Sequence, residues 1–206
     1  MANLELRPCQ VGPWPMNTYA LVCPATKQSV LFDPGADPET LLALLTDTTP
    51  IAILLTHTHG DHIGALAEMR QQLAVPVMAH PNASRRDIRA DRWLEQGDSV
   101  QVGNHTLNVL YAPGHIDDQL CFVLADDERV IVGDTIFAGG PGRTRSSADF
   151  QTTLNTLRTV VLPWPDETIC YPGHGPSFRL GDIRPAVEAF VNKDHGTFHG
   201  DAEWDM

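Results

Sequence analysis

The sequence predicts an α/β fold, because short apolar runs alternate with helix-like stretches along its 206 residues. Ile51–Leu55 is wholly apolar, which is typical of a central strand buried on both faces. The strand-like runs form two groups, with helix-like stretches between and after them. The length suits one domain with a substantial core, so we expect a single domain over residues 1–206.

The elements of the first half follow from local patterns. Apolar runs that end in turn residues such as Pro34-Gly35 indicate strands. A helix is expected after Asp37-Pro38, because leucines recur on one face there. Around the buried strand, the further predicted elements are strands at Leu4–Val11, Thr18–Val22, Val30–Asp33 and Val75–Ala79, a helix at about Asp61–Leu73 and an arginine-rich helix at Asn82–Leu94.

The second half predicts further strands and two helices. Gly103-Asn104 separates two apolar runs and indicates a hairpin turn. Ser147 or Asp149 can cap a helix whose apolar residues share one side. Residues 193–206 are polar, so we expect a solvated tail that includes His195 and His199. The predicted elements are strands at Ser99–Val102, His105–Tyr111, Leu120–Leu124, Val130–Val132 and Thr168–Tyr171, and helices from Ser147 to Val161 and at Asp182–Val191.

Composition and charge exclude several classes of protein. Hydrophobic residues make up 42% of the chain and charged residues 19%, which is ordinary for a globular domain. No apolar run approaches the roughly 20 residues that span a bilayer, and the first residues lack the pattern of a secretory signal. The four cysteines are isolated in the sequence, which favours a reducing compartment. We therefore expect a cytoplasmic protein.

The net charge argues against polyanionic partners. There are 26 acidic and 14 basic residues, giving a formal charge of −12. Such a field repels nucleic-acid phosphates and anionic lipid surfaces. We expect neither nucleic acid nor membrane as a partner, and the sequence does not indicate an oligomeric state.

The strongest chemical motif follows the buried strand directly. His57, His59, Asp61 and His62 lie within six residues, at a strand's carboxyl end, where α/β folds place ligands. His57 and His59 point to the same side of extended backbone, whereas Asp61 and His62 turn away at a helix start. A lone loop histidine is usually just exposed. Four ligand-type side chains diverging in two directions instead suit two neighbouring transition-metal ions.

Three further candidate ligands follow other strands. His115 comes after Ala112-Pro113-Gly114, Asp134 after Val132-Gly133, and His174 after Pro172-Gly173. Each lies on a strand-end loop, where glycine permits close approach of the backbone. Taken singly, each is more often a turn residue than a ligand, but together they extend the predicted metal site.

In this order the motifs resemble those of the metallo-β-lactamase superfamily, and within it the short bacterial glyoxalase II-like hydrolases. The resemblance runs from about Asn17 to Phe190 and implies a four-layer αββα sandwich. The matching segments are Asn17-Thr18-Tyr19, Phe32-Asp33-Pro34-Gly35, Leu55–His62, Ala112–His115, Gly133–Phe137, Gly139–Thr144 and Tyr171–Pro176.

The resemblance also implies roles for the candidate residues. His57, His59 and His115 would hold a first metal, Asp61, His62 and His174 a second, and Asp134 would bridge them. Asp33 would orient the metal loop from behind by hydrogen bonding. Arg143, with Arg145 as a weaker candidate, is placed to bind a substrate carboxylate. The implied cofactors are two divalent ions, zinc first and iron or manganese next.

The implied activity is hydrolysis of a small-molecule thioester, S-2-hydroxyacylglutathione, by a hydroxide that bridges the metals, with Asp61 and Asp134 as the catalytic carboxylates. One alternative is a persulfide dioxygenase with a single iron held by His57, His115 and Asp134. A lactone hydrolase of the same superfamily is another.

The chain departs from the family pattern in two places. About thirty residues follow His174, too few for the helical part with which longer glyoxalase II enzymes bind glutathione, which puts glutathione specificity in question. Asp117 and Asp118 stand where small turn residues are usual. They can hydrogen-bond the His115 imidazole or merely cap the loop, and we favour the cap.

Overall fold

The computed structural model describes residues 3–125 and 127–206, which form two six-stranded sheets with helices on their outer faces. The first sheet has the spatial order β1 to β6. Strands β1 to β3 are antiparallel, and β3 to β6 run parallel. The bounds are β1 Glu5–Val11, β2 Met16–Val22, β3 Gln28–Phe32, β4 Thr49–Leu54, β5 Val77–Ala79 and β6 Arg92–Trp93.

The second sheet has the order β12-β11-β10-β9-β8-β7. Only β10 and β11 pair in parallel, and the other neighbours are antiparallel. The bounds are β7 Ser99–Val102, β8 His105–Tyr111, β9 Leu120–Leu124, β10 Arg129–Gly133, β11 Ile169–Pro172 and β12 Phe178–Arg179.

Apolar side chains pack between the sheets and again between each sheet and its helices. Phe32 and Phe122 meet edge to face across the sheets, with ring centroids 5.1 Å apart. Leu41 and Met69 pack on the outside of the first sheet, and Phe150 on the outside of the second. The predicted four-layer sandwich is confirmed. The helices are α1 Pro38–Leu44, α2 Gly60–Ile63, α3 Leu66–Leu73, α4 Ser147–Thr156, which continues as a π-helical turn at Leu157–Val161, and α5 Leu180–Asn192.

The topology brings several strand ends to one edge of the sandwich. Strands β8, β10 and β11 run in the same direction, so their carboxyl ends lie side by side. The carboxyl end of β4 joins them from the first sheet, where Leu120 N donates to Thr56 O at 2.7 Å. Asn17 N donates to Gly173 O at 2.7 Å and ties the sheets together again. Every candidate metal ligand follows one of these four strands.

Two predicted helices were wrong in extent. The helix expected at about Asp61–Leu73 is broken into α2 and α3 at Gly64-Ala65, where Ala65 N donates to Pro34 O at 2.9 Å. Gly64 packs closely on the same loop, since a Cβ there would lie 2.4 Å from Gly35 O. In place of the helix expected at Asn82–Leu94 there is a short 3-10 helix, Pro81–Arg86, followed by strand β6. Asp87 ends it with a left-handed φ of 59°.

The expectation of a solvated tail holds only in part. Most of residues 193–206 are exposed, including His199, but the segment is anchored on the body of the protein. Ala202 and Trp204 are buried, 8% and 9% exposed, in the cluster that contains Phe190. The His195 ring packs against Phe190 with centroids 4.4 Å apart. Residues 193–206 therefore fold back on the body of the protein. Across the described ranges, 3–125 and 127–206, no helix is long and apolar enough to span a bilayer.

Candidate metal centre

The loop after β4 presents the four ligand-type side chains of residues 57–62, which we call the first motif. His57 and His62 are buried, 1% and 0% exposed, whereas His59 and Asp61 are partly exposed. His59 precedes α2 in extended conformation, and Asp61 and His62 lie in its single turn. The backbone thus changes from strand to helix within the motif, so its side chains point in two directions, as the sequence predicts.

The other three candidates reach the same place from the second sheet. In two clusters of three, the candidate ligand atoms all lie within 4.8 Å of one another. Both clusters combine residues of the first motif with one residue from a distant loop. They are His57, His59 and His115, and Asp61, His62 and His174.

Asp134 lies between the two clusters. Its Oδ2 is 3.5 Å from His115 Nε2 and 3.8 Å from His174 Nε2, and its Oδ1 is 3.5 Å from His62 Nε2. A single carboxylate therefore reaches members of both clusters. This is the position that the resemblance assigns to a bridging ligand.

Oxygen atoms fix the orientation of four histidines. His62 Nδ1 lies 3.0 Å from Asp33 Oδ2, and His115 Nδ1 lies 2.7 Å from Arg143 O. His57 Nδ1 is 3.1 Å from Thr56 Oγ1, and His174 Nδ1 is 3.2 Å from Pro15 O. An Nδ1–H that donates to oxygen leaves the Nε2 lone pair free, so these rings present Nε2 to the centre.

Three buried polar atoms at the centre have no hydrogen-bond partner within the described residues. They are His57 Nε2, His62 Nε2 and Asp134 Oδ1. An unsatisfied buried polar group costs about 1–3 kcal/mol, so such a concentration needs a compensating ligand. Two imidazole nitrogens and a carboxylate oxygen that converge on one space fit a transition-metal cation.

The electrostatics differ among the histidines. Burial, together with the neighbouring histidines, keeps the pKa of His57 well below its usual value. Burial and His115 lower the pKa of His59 to about 4, so both rings are neutral at pH 7. Burial alone would lower the pKa of His62, but the facing carboxylates of Asp134, 3.5 Å from Nε2, and of Asp33, 3.0 Å from Nδ1, raise it to about 10. Metal uptake at His62 therefore requires release of a proton.

Asp33 lies behind the metal loop and is 2% exposed. Its Oδ1 accepts from Thr56 N at 2.7 Å, and its Oδ2 accepts from Thr56 Oγ1 at 2.6 Å. Together with the contact to His62 Nδ1, these bonds engage both carboxylate oxygens. Asp33 also groups with His57 and His62 as a possible ligand set, but its engaged oxygens fit the orienting role better.

Residues 11–174 match the sequence model of the metallo-β-lactamase superfamily. The chain belongs to the metallo-β-lactamase superfamily. A probable metallo-hydrolase, YqgX of Bacillus subtilis strain 168, is 34% identical over 194 residues, and the match covers 84% of this chain and 91% of that protein.

Two further likenesses bear on the activity of this superfamily member. The hydroxyacylglutathione hydrolase GloC of Haemophilus influenzae is 29% identical over 201 residues, covering 87% of this chain and 93% of that protein. The crystal structure of ETHE1 from Myxococcus xanthus superposes with a TM-score of 0.81 at 29% identity, over 92% of this chain and 86% of that one.

Asp118 of this metallo-β-lactamase-fold chain is a buried group whose contact the sequence did not reveal. It is 1% exposed, and its Oδ2 accepts from Thr58 Oγ1 at 2.5 Å. Asp117 instead pairs with Arg85 and Arg86 at 2.7 and 2.5 Å. Since the ring nitrogens of His115 face Arg143 O and His59, neither carboxylate bonds this imidazole. Asp118 thus braces the metal loop through Thr58, a contact that differs from both roles expected for it.

We predict that Asp118→Asn raises the melting temperature of the metal-free protein at pH 8 by about 2–4 °C. Burial raises the pKa of Asp118, so its ionised form is costly in the folded state, whereas asparagine keeps an acceptor for Thr58 without the charge. The increase in melting temperature reaches its full size at pH values above the raised pKa of Asp118. It fades as the pH falls toward the usual 3.8, where wild-type Asp118 is itself protonated. Thermal melts from pH 4 to 8 measure this.

Asp117→Asn is the matched control, with the opposite sign. Burial alone would raise the pKa of Asp117, but Arg86 and Arg85 lower it, so its ionised form stabilises the fold at neutral pH. This variant should lower or leave unchanged the melting temperature at pH 8. If both variants raise the melting temperature, or both lower it, the opposite effects inferred for the charges of Asp117 and Asp118 are wrong.

The metal centre opens into a cleft with two lobes that share His115 and Arg143. The first lobe is also lined by Trp14, Arg145 and His199. The second lobe is lined by Asp134, His174, Phe137 and Gly139–Pro141, and by tail residues 201–205. The expected substrate arginine, Arg143, thus lies at the cleft. The sequence interpretation missed Trp14 and the tail. A tryptophan between two prolines and another within the polar tail are the signals that could have drawn attention to them.

Proposed function

We propose that this chain is a dinuclear metal-dependent hydrolase that cleaves the thioester of S-2-hydroxyacylglutathione. The observation that supports this most directly is the meeting of seven histidine and aspartate side chains at one edge of the sandwich. Three of their buried ligand-type atoms have no hydrogen-bond partner in the part of the chain that the structure describes. The likeness to the hydroxyacylglutathione hydrolase of Haemophilus influenzae supports the substrate class.

In this proposal His57, His59 and His115 hold one ion, Asp61, His62 and His174 hold the other, and Asp134 bridges them. Zinc is the first candidate, and iron or manganese the next. When bound, such ions supply Lewis-acid activation of water and of the thioester carbonyl at neutral pH.

The chain's own residues supply position and charge balance. Asp134, 6% exposed, is held among four histidines, so its carboxylate is oriented before substrate arrives. Asp61 lies 3.0 Å from His174 Nε2 and is partly open to the cleft, where it can accept a proton from water. Arg143 is placed to bind an anionic part of the substrate. A thiolate leaves without a strong acid, so these groups suffice for a thioester.

We further propose a cytoplasmic enzyme that forms a single domain over residues 1–206. The four cysteines are free thiols, and three of them are buried, which suits a reducing compartment.

A second candidate is a persulfide dioxygenase with one iron held by His57, His115 and Asp134. The likeness to ETHE1 from Myxococcus xanthus fits this candidate. A single-iron site leaves four candidate ligands without a role. One of them is the buried His62, whose Nε2 has no hydrogen-bond partner among residues 3–125 and 127–206. We therefore prefer the hydrolase.

Metal analysis combined with two assays tests the choice. We expect about two equivalents of divalent transition metal per chain. We also expect hydrolysis of S-D-lactoylglutathione without oxygen uptake, loss of activity on chelation and recovery on adding zinc. A single iron with oxygen consumption on glutathione persulfide would establish the second candidate instead.

A further inference from the structure

The cleft wall formed by residues 199–205, which we call the tail wall, has no role in the function proposed so far. We propose that it sorts the two ends of the substrate by charge, so that the enzyme takes an uncharged acyl group on an anionic thiol carrier and disfavours acidic acyl groups. This inference rests on the proposed function and specifies its substrate class.

Hydrogen bonds and ring packing attach the tail wall to the rest of the cleft. Trp204 Nε1 donates to Ala138 O at 2.9 Å, and its ring meets Phe190 edge to face with centroids 5.2 Å apart. Thr144 N donates to Gly200 O at 3.1 Å, and Gly200 N donates to Thr144 Oγ1 at 3.2 Å. These bonds attach both ends of the wall to the loop that contains Arg143.

Close packing holds the middle of the tail wall in place. A Cβ on Gly140 would lie 2.0 Å from Ala202 O, so the wall is seated directly on that backbone. Ala202 and Trp204 point inward and are buried, whereas Asp201, Glu203 and Asp205 alternate with them and are exposed. All five residues 201–205 line the second lobe, so the three exposed acidic residues contribute their charge to its wall.

The two lobes consequently differ in charge. Arg143 lines both lobes. The first lobe adds Arg145 and one carboxylate, Asp61, and Arg145 Nη2 lies 3.4 Å from His59 Nε2. The second lobe has the three tail carboxylates, of which Asp201 lies 3.5 Å from Arg143 Nε, at the boundary between the lobes. Since the lobes share His115, a substrate whose reacting carbon lies at the metal centre extends one end into each lobe.

The reacting centre opens directly into the acidic lobe. Asp134 lines it and is 6% exposed, and its Oδ1 has no partner among the described residues. Charges within about 8–10 Å interact appreciably at physiological salt, so a carboxylate on the acyl group would be repelled there. The anionic carrier is favoured in the arginine lobe, which leaves the second lobe to the acyl group. Phe137 and Pro141 offer that group apolar contacts.

Binding of two non-hydrolysable thioethers tests the sorting without turnover. S-(5-hydroxypentyl)glutathione and S-(4-carboxybutyl)glutathione have five-carbon chains and differ in the charge of the far end. We expect the zinc-loaded enzyme to bind the hydroxyl compound about tenfold more tightly by calorimetry, with a ratio that shrinks at high salt.

The decisive variant removes the three tail charges, Asp201→Asn, Glu203→Gln and Asp205→Asn together. Its matched control, Glu39→Gln, Glu68→Gln and Glu188→Gln, removes three charges from exposed positions on α1, α3 and α5. The tail variant should bring the Kd ratio close to one, and the control should keep the wild-type ratio.

A wild-type enzyme that binds the two thioethers with equal Kd would overturn the sorting role. So would the same change of the Kd ratio in the tail variant and in its control. Turnover of S-D-lactoylglutathione, measured on the same samples, tests the proposed function separately. If that thioester is hydrolysed but the thioethers bind with equal affinity, only the sorting fails. If there is no hydrolysis, the hydrolase proposal fails whatever the ratio.

Discussion

Asp134→Ala is expected to lower the turnover of S-D-lactoylglutathione by at least about a thousandfold and to reduce the bound metal from two ions to one or none. The physical reason is its central position, with carboxylate oxygens 3.5–3.9 Å from the Nε2 atoms of His57, His62, His115 and His174. Alanine leaves two cations to share one fewer negative charge in a buried space, where their mutual repulsion is strong. Elemental analysis and steady-state kinetics measure both effects.

Glu68→Ala is the control for the Asp134 variant. It removes an exposed carboxylate from α3, outside the cleft, and should leave metal content and turnover at wild-type levels. An Asp134→Ala protein that kept two metals and full turnover would contradict the assignment of this residue. Both candidates use Asp134 as a metal ligand, so this variant tests the residue and not the choice between them.

The sequence predicted the location of the centre because its signals are local. A buried strand such as Ile51–Leu55 is recognisable from its apolar run, and a polar residue after a Gly or Pro-Gly turn marks its end. Parallel strands bring such ends to one edge, so His115, Asp134 and His174 were placed without knowledge of any long-range contact.

The features that the sequence did not predict depend on long-range contacts. Trp204 is buried because its ring packs against Phe190 and its Nε1 donates to Ala138 O. The polar residues next to it in sequence do not indicate those partners. Asp118 braces Thr58 across 60 positions of sequence. The helix expected at Asn82–Leu94 does not form for a related reason. Residues 92–93 pair as β6 with β5, a long-range interaction that local helix propensity does not reflect.

Gly173→Ala is expected to disrupt the centre by adding one methyl group. A Cβ at this position would lie 2.3 Å from Asp134 Oδ1 and 2.5 Å from His62 Cε1. Neither neighbour can move cheaply, because Asp33 holds the His62 ring and four histidines surround Asp134. A displacement of about 1 Å in catalytic groups costs on the order of a hundredfold in rate, and we expect at least that loss.

Gly60→Ala separates this steric effect from a general intolerance of alanine near the metal loop. Gly60 lies between two candidate ligands, yet a Cβ there would meet nothing within 4 Å. Metal binding only to the folded state should raise the melting temperature of the wild type and of Gly60→Ala to a similar extent. Gly173→Ala should lose most of that increase. Its metal-free form should also melt at a lower temperature, because neither of the two buried side chains that the methyl group meets can move cheaply. A normal metal-induced increase in Gly173→Ala would show that Asp134 can yield to a methyl group, and the tight geometry inferred for the centre would then be wrong.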